Sequence, residues 1–271
     1  MICDNCSHNC DISEGGTGLC HARVNENGCI KCESYGAVTS LALDPIEKKP
    51  LAMFYPGSKI LSAGSYGCNM HCMWCQNDSI SRGKIDADHL SPGELVDIAL
   101  NTKVRGNIGI AYTYNEPFVG FEFVYDCARL AKEKGLVNVC VTNGMLGAAK
   151  FSVLAEYVDA YNIDLKSGSP ERYASIGGDL DLILENIRTA VKRDRHVELT
   201  TLVVPRFNDT DEDIRTIVGL IKKIDPAIPF HITRFFPAGE MKDEAPTDRD
   251  LLYRFRDIAK ESLEYVFLGN I

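Results

Sequence analysis

The sequence has no long apolar segment and no excess of positive charge. None of its apolar runs approaches the roughly 20 residues that cross a membrane, and no charged-then-apolar leader opens it. Lys and Arg total 29 against 38 Asp and Glu, and they form no basic stripe, which argues against nucleic acid or an anionic membrane as a main partner. These absences predict a cytoplasmic protein. A chain of 271 residues is long enough to bury one large core.

Cysteine, in contrast, is plentiful and unevenly spread. The chain has 11 cysteines, of which six fall within the first 32 residues and three form a CxxxCxxC triplet. In an intracellular chain of this length, metal ligation is a more common use of cysteine than disulfide formation. Both groups are therefore candidate metal sites.

The triplet consists of Cys68, Cys72 and Cys75, with Trp74 just before its last member. Three thiolates can hold three irons of a [4Fe–4S] cluster and leave the fourth iron free, whereas ferredoxins that only transfer electrons use four cysteines per cluster. The spacing therefore predicts a catalytic cluster. A zinc knuckle or a redox pair is the alternative, but zinc prefers four ligands, usually in two separated pairs. His71 lies inside the triplet, where it is poorly placed to be a fourth ligand.

Residues 1–35 are predicted to form a small Cys-rich metal-binding segment, and residues 36–271 the catalytic domain. The first segment has too few large apolar residues to fold by packing alone. Four of its cysteines have spacings that suit zinc or a second iron–sulfur cluster: Cys3, Cys6, Cys10 and Cys20. Two more could replace or supplement them: Cys29 and Cys32. Free thiols on a mobile segment are the alternative interpretation.

From residue 58 onwards, apolar strands alternate with amphipathic helices, which is typical of parallel βα units. The predicted strands are 58–64, 107–112, 136–141, 160–165, 197–204, 229–233 and 265–268. The predicted helices are 91–103 (capped by Ser91), 118–134, 148–157, 180–193, 211–223 (capped by Thr210 or Asp209) and a last one to about 262 capped by Thr247. Six βα units are too few to close an eight-stranded barrel. The expected fold is therefore α/β, a partial (β/α)6 TIM-like barrel.

Polar or cysteine-rich segments follow six of these predicted strands. In parallel βα folds, ligands bind at the carboxyl ends of the strands. We therefore expect one cavity to be lined by the segments 68–75, 112–117, 142–144, 164–166, 204–209 and 231–237.

The triplet and the strand-end motifs resemble those of the radical S-adenosylmethionine (SAM) enzymes. Within that superfamily the chain resembles the pyruvate formate-lyase-activating enzyme group, and most of all the AmmeMemoRadiSam system radical SAM proteins. The resemblance covers nearly the whole chain, including the N-terminal cysteines. Its matching stretches are 66–77, 111–117, 141–144, 162–166, 198–205 and 265–270.

This resemblance implies a chemistry and its cofactors. The open iron would bind SAM, and an electron from the cluster would cleave SAM to a 5′-deoxyadenosyl radical that takes hydrogen from a protein substrate. A low-potential flavodoxin or ferredoxin would supply the electron. Two alternatives stay open: the same chemistry on a small molecule, and an iron–sulfur electron carrier without SAM chemistry.

The resemblance also implies which residues meet SAM. Asn115 and Glu116 correspond to a turn near its amino group. The other implied contacts are Trp74 beside the cluster, Thr142 and Asn143 near the ribose and carboxylate, Asp164 and Lys166 along the methionine part, and His231 near the adenosyl group.

The chain departs from the group's pattern at three positions. Asn115 replaces a glycine, so its turn must differ, and its side-chain amide is available for a contact. Val141 replaces an acidic residue, which puts a cation beside SAM in doubt. Arg206 replaces a glycine, and it either faces an anionic substrate or is a solvated loop residue.

Overall fold

The computed structural model describes the whole chain, residues 1–271, as twelve strands and eight α-helices. The strands are β1 (Arg23–Glu26), β2 (Cys29–Cys32), β3 (Ala37–Val38), β4 (Ser40–Pro45), β5 (Lys59–Gly64), β6 (Asp88–His89), β7 (Asn107–Tyr112), β8 (Val137–Thr142), β9 (Ala160–Asp164), β10 (His196–Val203), β11 (Phe230–Arg234) and β12 (Val266–Gly269). The helices are α1 (Asp78–Ser81), α2 (Pro92–Asn101), α3 (Phe121–Glu133), α4 (Ala148–Leu154), α5 (Pro170–Ser175), α6 (Leu180–Lys192), α7 (Asp211–Ile224) and α8 (Arg249–Lys260).

Eight strands form one sheet in the order β4-β5-β7-β8-β9-β10-β11-β12. Strand β4 is antiparallel to β5, and every other neighbouring pair is parallel. Each parallel strand pairs with the next one along the chain, and the six connections contain α2, α3, α4, α6, α7 and α8 in turn. The two edge strands, β4 and β12, do not pair with each other. The predicted partial (β/α)6 barrel is confirmed, and it is open on one side.

The helices begin where polar side chains can satisfy their first N–H groups. Ser91 caps α2 as predicted, and of the two predicted caps of α7, Thr210 and Asp209, the observed one is Thr210. Both caps form capping boxes. The predicted cap at Thr247 is wrong, because Asp248 caps α8. The Thr247 hydroxyl instead donates a 2.6 Å hydrogen bond to the carbonyl of Val203, which ties the loop before α8 to the end of β10.

The inside of the open barrel is filled by residues 46–54, which follow the edge strand β4. Ile46 and Leu51 are completely buried in a small apolar cluster, with Phe54 packed against it. Their partners are Ile60, Ala111, Val139 and Ala160, which lie on strands β5, β7, β8 and β9. The main core lies elsewhere, around the six connecting helices. We call residues 46–54 the plug; neither the plug nor β4 was predicted from the sequence.

The first 35 residues form the antiparallel β1–β2 hairpin and the loops that precede it. Buried polar contacts attach this segment to the barrel: Arg23 Nε donates to Val119 O at 2.9 Å, and Asn5 Nδ2 donates to Phe118 O at 2.9 Å. The domain boundary between residues 35 and 36 stays a prediction. None of the helices is both long and apolar enough to cross a membrane.

Candidate active site

A cavity of about 830 Å³ lies inside the open barrel above the plug. All eleven residues that the sequence predicts as cluster ligands or SAM contacts line it: Cys68, Cys72, Trp74, Cys75, Asn115, Glu116, Thr142, Asn143, Asp164, Lys166 and His231. The structure thus brings them to one place, although their individual roles stay predictions.

The cysteine loop, residues 67–77, leaves the carboxyl end of β5 and runs into α1. It starts at Gly67, whose φ of +89° and close approach to the Cys20 carbonyl leave no room for a Cβ. The Cys68 N–H donates to that same carbonyl at 3.2 Å. Trp74 is buried and packs on Phe207, with ring centroids 4.5 Å apart. These contacts hold the loop against the barrel while its three thiols face the cavity.

Asn115 braces the cysteine loop. Its Oδ1 accepts the N–H of Ser65 at 2.9 Å, and its Nδ2 donates to the carbonyls of Tyr66 and Gly67, both at 3.1 Å. Both polar atoms of the side chain are therefore engaged with the chain just before Cys68. This is what the asparagine supplies in place of a glycine: it fixes the position of the loop.

Glu116 joins the ends of two neighbouring strands. Its carboxylate accepts the Thr142 hydroxyl and the Asn143 N–H, both at 2.7 Å, and the Phe118 N–H at 2.9 Å. Burial raises the pKa of Glu116 to about 7, even though these three hydrogen bonds lower it. Asn143 continues the network by donating to the Asn69 side chain at 2.8 Å. Glu116 therefore orients the end of β8 relative to the cysteine loop.

Asp164 and Lys166 form an ion pair on the cavity wall, with Nζ and Oδ2 2.6 Å apart. Burial lowers the pKa of Lys166, but the charges of Asp164 and Cys72 outweigh it and raise that pKa above its ordinary value. The lysine therefore presents a permanent positive charge beside the cysteine loop.

His231 lies on the cavity wall but not at a strand end, contrary to the sequence-based placement. It is the second residue of β11, where it pairs with Thr200, and Thr200 also pairs with Asp164, the last residue of β9. The stagger of the strands thus brings an early residue of one strand level with the end of another. The ring of His231 stacks on Phe267, with centroids 5.2 Å apart.

Glu198 is a buried residue that the sequence does not single out. Its carboxylate accepts the plug amides of Ala52 and Met53 at 2.9 and 2.8 Å, and ring nitrogens of His196 and His231 at 2.8 and 2.6 Å. Burial raises its pKa, but these four donors outweigh burial and lower the pKa to about 2. One ionised carboxylate thus fixes both the plug and the cavity histidine.

A second missed group consists of Lys49, Asp44 and Tyr114, where the plug meets β4. Lys49 Nζ donates to Asp44 at 2.9 Å and lies 4.7 Å from the centroid of the Tyr114 ring. The Tyr114 hydroxyl donates to the same carboxylate at 2.8 Å. Burial lowers the pKa of Lys49, although Asp44 raises it. In the sequence, Lys49 belongs to a Lys-Lys-Pro run that is indistinguishable from a solvated loop.

Several other residues considered in the sequence lie outside this cavity. His71 is exposed and contacts Glu240, and Arg206 forms an exposed ion pair with Glu244. Cys127 and Cys140 are completely buried in the core.

The N-terminal cysteines line a second, smaller cavity. It is bordered by Cys3, Cys6, Cys10 and Cys20 but by neither Cys29 nor Cys32. The last two lie on β2 three residues apart and therefore point to opposite faces of that strand. They cannot jointly complete one site with the other four. No cysteine of the chain is in a disulfide.

The donor set of the large cavity fits an iron–sulfur cluster. No three His, Cys, Asp or Glu side chains in the structure converge closely enough to hold a single metal ion. The three thiols of the cysteine loop instead border a shared space, which suits a cluster because each thiolate then binds a different iron. The volume of the whole cavity, about 830 Å³, is within the range of small-molecule sites.

The chain is similar to known proteins along its whole length. It is 38% identical to an uncharacterized protein of Methanocaldococcus jannaschii over 99% of this chain and 81% of that protein. It is 27% identical to the pyruvate formate-lyase-activating enzyme of Clostridium pasteurianum over 71% of this chain and 80% of that enzyme. More distant relatives include GTP 3′,8-cyclases. The relatives do not bear on the narrower AmmeMemoRadiSam resemblance, which stays a prediction.

The fold has a solved counterpart in a radical SAM methyltransferase from Sphaerobacter thermophilus, with a TM-score of 0.62 and 17% identity over 80% of this chain and 67% of that one. The family model of the radical SAM superfamily matches residues 63–221, which is more than half of the sequence and includes the cysteine loop. The electron-carrier alternative is thereby set aside. The chain belongs to the radical SAM superfamily, and it is an enzyme that uses a [4Fe–4S] cluster and SAM.

Proposed function

We propose that this enzyme takes a hydrogen atom from a protein, as an activating enzyme does for a glycyl-radical enzyme. The observation that carries the proposal is the open side of the barrel. Edge strands β4 and β12 are unpaired with each other, and the cavity is lined both by residues that follow β4 (Glu47 and Lys48) and by β12 residues with Asn270. Glu47, Lys48 and Asn270 are exposed, so the cavity reaches solvent along this gap. An extended polypeptide segment is proposed to enter there.

Cys68, Cys72 and Cys75 are the proposed ligands of the catalytic cluster. When bound, the cluster supplies the electron that cleaves SAM, and the resulting radical takes the substrate hydrogen. The contribution of the chain is to hold the three thiols in place, through the hydrogen bonds of Asn115 to the preceding backbone. A flavodoxin or ferredoxin is the proposed electron donor, since the reaction needs a low potential.

Lys166 is the proposed partner of the SAM carboxylate. Its side chain is partly buried beside the cysteine loop, and a charge-assisted hydrogen bond is stronger than one between neutral groups. Thr142 and Asn143, oriented by Glu116, are proposed to border the same part of the cofactor. His231, held by Glu198 and stacked on Phe267, is proposed to border the adenosyl group.

A small-molecule substrate is the second candidate, and the distant similarity to GTP 3′,8-cyclases favours it. The two candidates differ in the size of the molecule that loses the hydrogen. If the substrate is a small molecule, the gap between β4 and β12 is the entrance for a metabolite rather than for a polypeptide.

The deciding experiment follows hydrogen transfer into 5′-deoxyadenosine. An extract of deuterium-labelled cells that naturally contain this enzyme is divided by filtration into macromolecules and small molecules. Each fraction is incubated anaerobically with the enzyme, unlabelled SAM and a reductant, and deoxyadenosine is analysed by mass spectrometry. We expect deuterium from the macromolecular fraction, with the loss of this transfer after protease treatment. Deuterium only from the small-molecule fraction would overturn the proposal. The variant with all three loop cysteines replaced by alanine is the control.

A further inference from the structure

Four N-terminal thiols surround a second cavity, which borders the cysteine loop. Cys3 and Cys20 are buried, while Cys6 and Cys10 are partly buried. The Cys3 N–H donates to the Cys10 carbonyl at 2.9 Å, which closes the first ten residues into a compact turn around the cavity. A segment this poor in apolar residues gains little from packing, so four inward-facing thiols need another explanation.

A buried arginine borders this cavity. Arg23 is 2% exposed and borders the cavity, and its guanidinium donates to Asn5 Oδ1 at 2.9 Å and also to Glu122. His8 also borders the cavity, but its Nε2 lies 2.8 Å from the Asn69 carbonyl. Arg23 and His8 are thus engaged with other groups, and the four thiols are the candidate ligands.

The arrangement of the thiols distinguishes a cluster from a single ion. In a zinc site the four sulfurs lie about 2.3 Å from one ion and so must converge on a point. These thiols do not converge in that way, and neither do the three of the cysteine loop. They border a shared cavity instead. We propose that Cys3, Cys6, Cys10 and Cys20 ligate a second [4Fe–4S] cluster, one with no open iron.

The proposed cluster is joined directly to the catalytic loop. The carbonyl of its ligand Cys20 accepts the N–H of Cys68, and the His8 ring is hydrogen-bonded to the carbonyl of Asn69. Gly67 packs on the same Cys20 carbonyl. Assembly of the N-terminal cluster therefore positions the segment that carries the first cysteine of the catalytic site.

The test uses the full chain with Cys68, Cys72 and Cys75 replaced by alanine, reconstituted anaerobically with iron and sulfide in the presence of zinc. This variant keeps all four N-terminal thiols, so we expect about four iron and four sulfide per chain, against about eight of each in the unchanged chain. The reduced variant should give an electron paramagnetic resonance signal that SAM leaves unchanged, because every iron already has a protein ligand. Adding Cys6→Ser and Cys10→Ser should remove the iron, whereas adding Cys29→Ser and Cys32→Ser should not.

Each other result overturns the proposal. About one zinc per chain and no iron would mean a closed zinc site, as the four-cysteine spacing alone also allows. No metal would mean that the segment folds without one, and a SAM-sensitive signal would mean that an iron is open. If the Cys6 and Cys10 variant fails to fold, the metal content and spectrum of the first variant still decide. None of these measurements involves a substrate, so they test the second cluster independently of the proposed activating-enzyme function.

Discussion

Glu198→Gln is the substitution whose effect can be worked out most fully. The carboxylate has two acceptor oxygens, and each accepts one plug N–H and one histidine ring nitrogen. Glutamine has nearly the same shape, but one of its oxygens is replaced by an amino group that only donates. On that side, two donors of the protein would face a third donor. The plug would lose an amide partner and a histidine would lose its hydrogen bond.

The expected cost is about 2–3 kcal/mol of unfolding free energy. A lowering of the Glu198 pKa from 4.5 to about 2 corresponds to roughly 3 kcal/mol, at 1.36 kcal/mol per unit. Loss of one or two hydrogen bonds to a charged group gives a similar figure, at about 1.5–3 kcal/mol each. Because the folded-state pKa is lowered, this stabilisation is complete above about pH 4.5 and disappears as the pH falls towards 2.

Urea unfolding of the metal-free protein under reducing conditions measures this cost. Glu185→Gln is the matched control, since Glu185 is exposed on α6 and should change stability by less than about 0.5 kcal/mol. Hydrogen exchange at the amides of Ala52 and Met53 should be faster only in the Glu198 variant. A cost no larger than that of the control, or one that does not decrease between pH 4.5 and 2, would refute the reasoning.

Three further outcomes are expected. Replacing the three cysteines of the loop with alanine should abolish reductive SAM cleavage, measured as deoxyadenosine formed, while Cys127→Ala keeps it; activity in the triple variant would disprove their role as ligands. Lys166→Ala should weaken SAM binding about ten-fold, because a charge-assisted hydrogen bond of about 1.5 kcal/mol is lost. If isothermal titration calorimetry shows an unchanged affinity for SAM, Lys166 does not contact SAM. Asn115→Ala should make the reconstituted catalytic cluster decay faster in air, because the backbone before Cys68 loses three hydrogen bonds; decay at the unchanged rate, with Asn101→Ala as control, would contradict the bracing role.

Local sequence patterns predicted most of the barrel because each βα unit has its own signature. The strand at 107–112 is observed with the same bounds, and the capping box at Ser91 needs only two residues three positions apart. Errors occur where a choice depends on distant contacts. Thr247 was assigned the cap of α8, but the carbonyl of Val203 in the adjacent strand engages its hydroxyl.

The same division holds for the candidate site. Motif spacing is local, so the sequence alone identified the cysteine loop and four other segments that line the cavity. The sixth predicted segment, 204–209, does not line it. The sequence did not reveal that the side-chain amide of Asn115 is hydrogen-bonded to the backbone just before Cys68. Nor did it reveal that Glu198 accepts four hydrogen bonds. Apart from the contact between Glu198 and His196, which are two positions apart, those contacts join residues from 33 to 146 positions apart.

By itself, then, the sequence determined the type of fold and most of the strand-end segments around the cavity, because periodicity and spacing are properties of neighbouring residues. Its resemblance to the radical SAM enzymes implied the cofactor chemistry. Only the tertiary structure decided which of those residues face the cofactor space with free atoms and which hold others in place. It also placed the plug inside the barrel and set Cys20 against Cys68. The physical reason is that a buried polar group forms hydrogen bonds with groups that the fold brings close to it. Those groups can be distant in the sequence, so the periodicity of the sequence does not identify them.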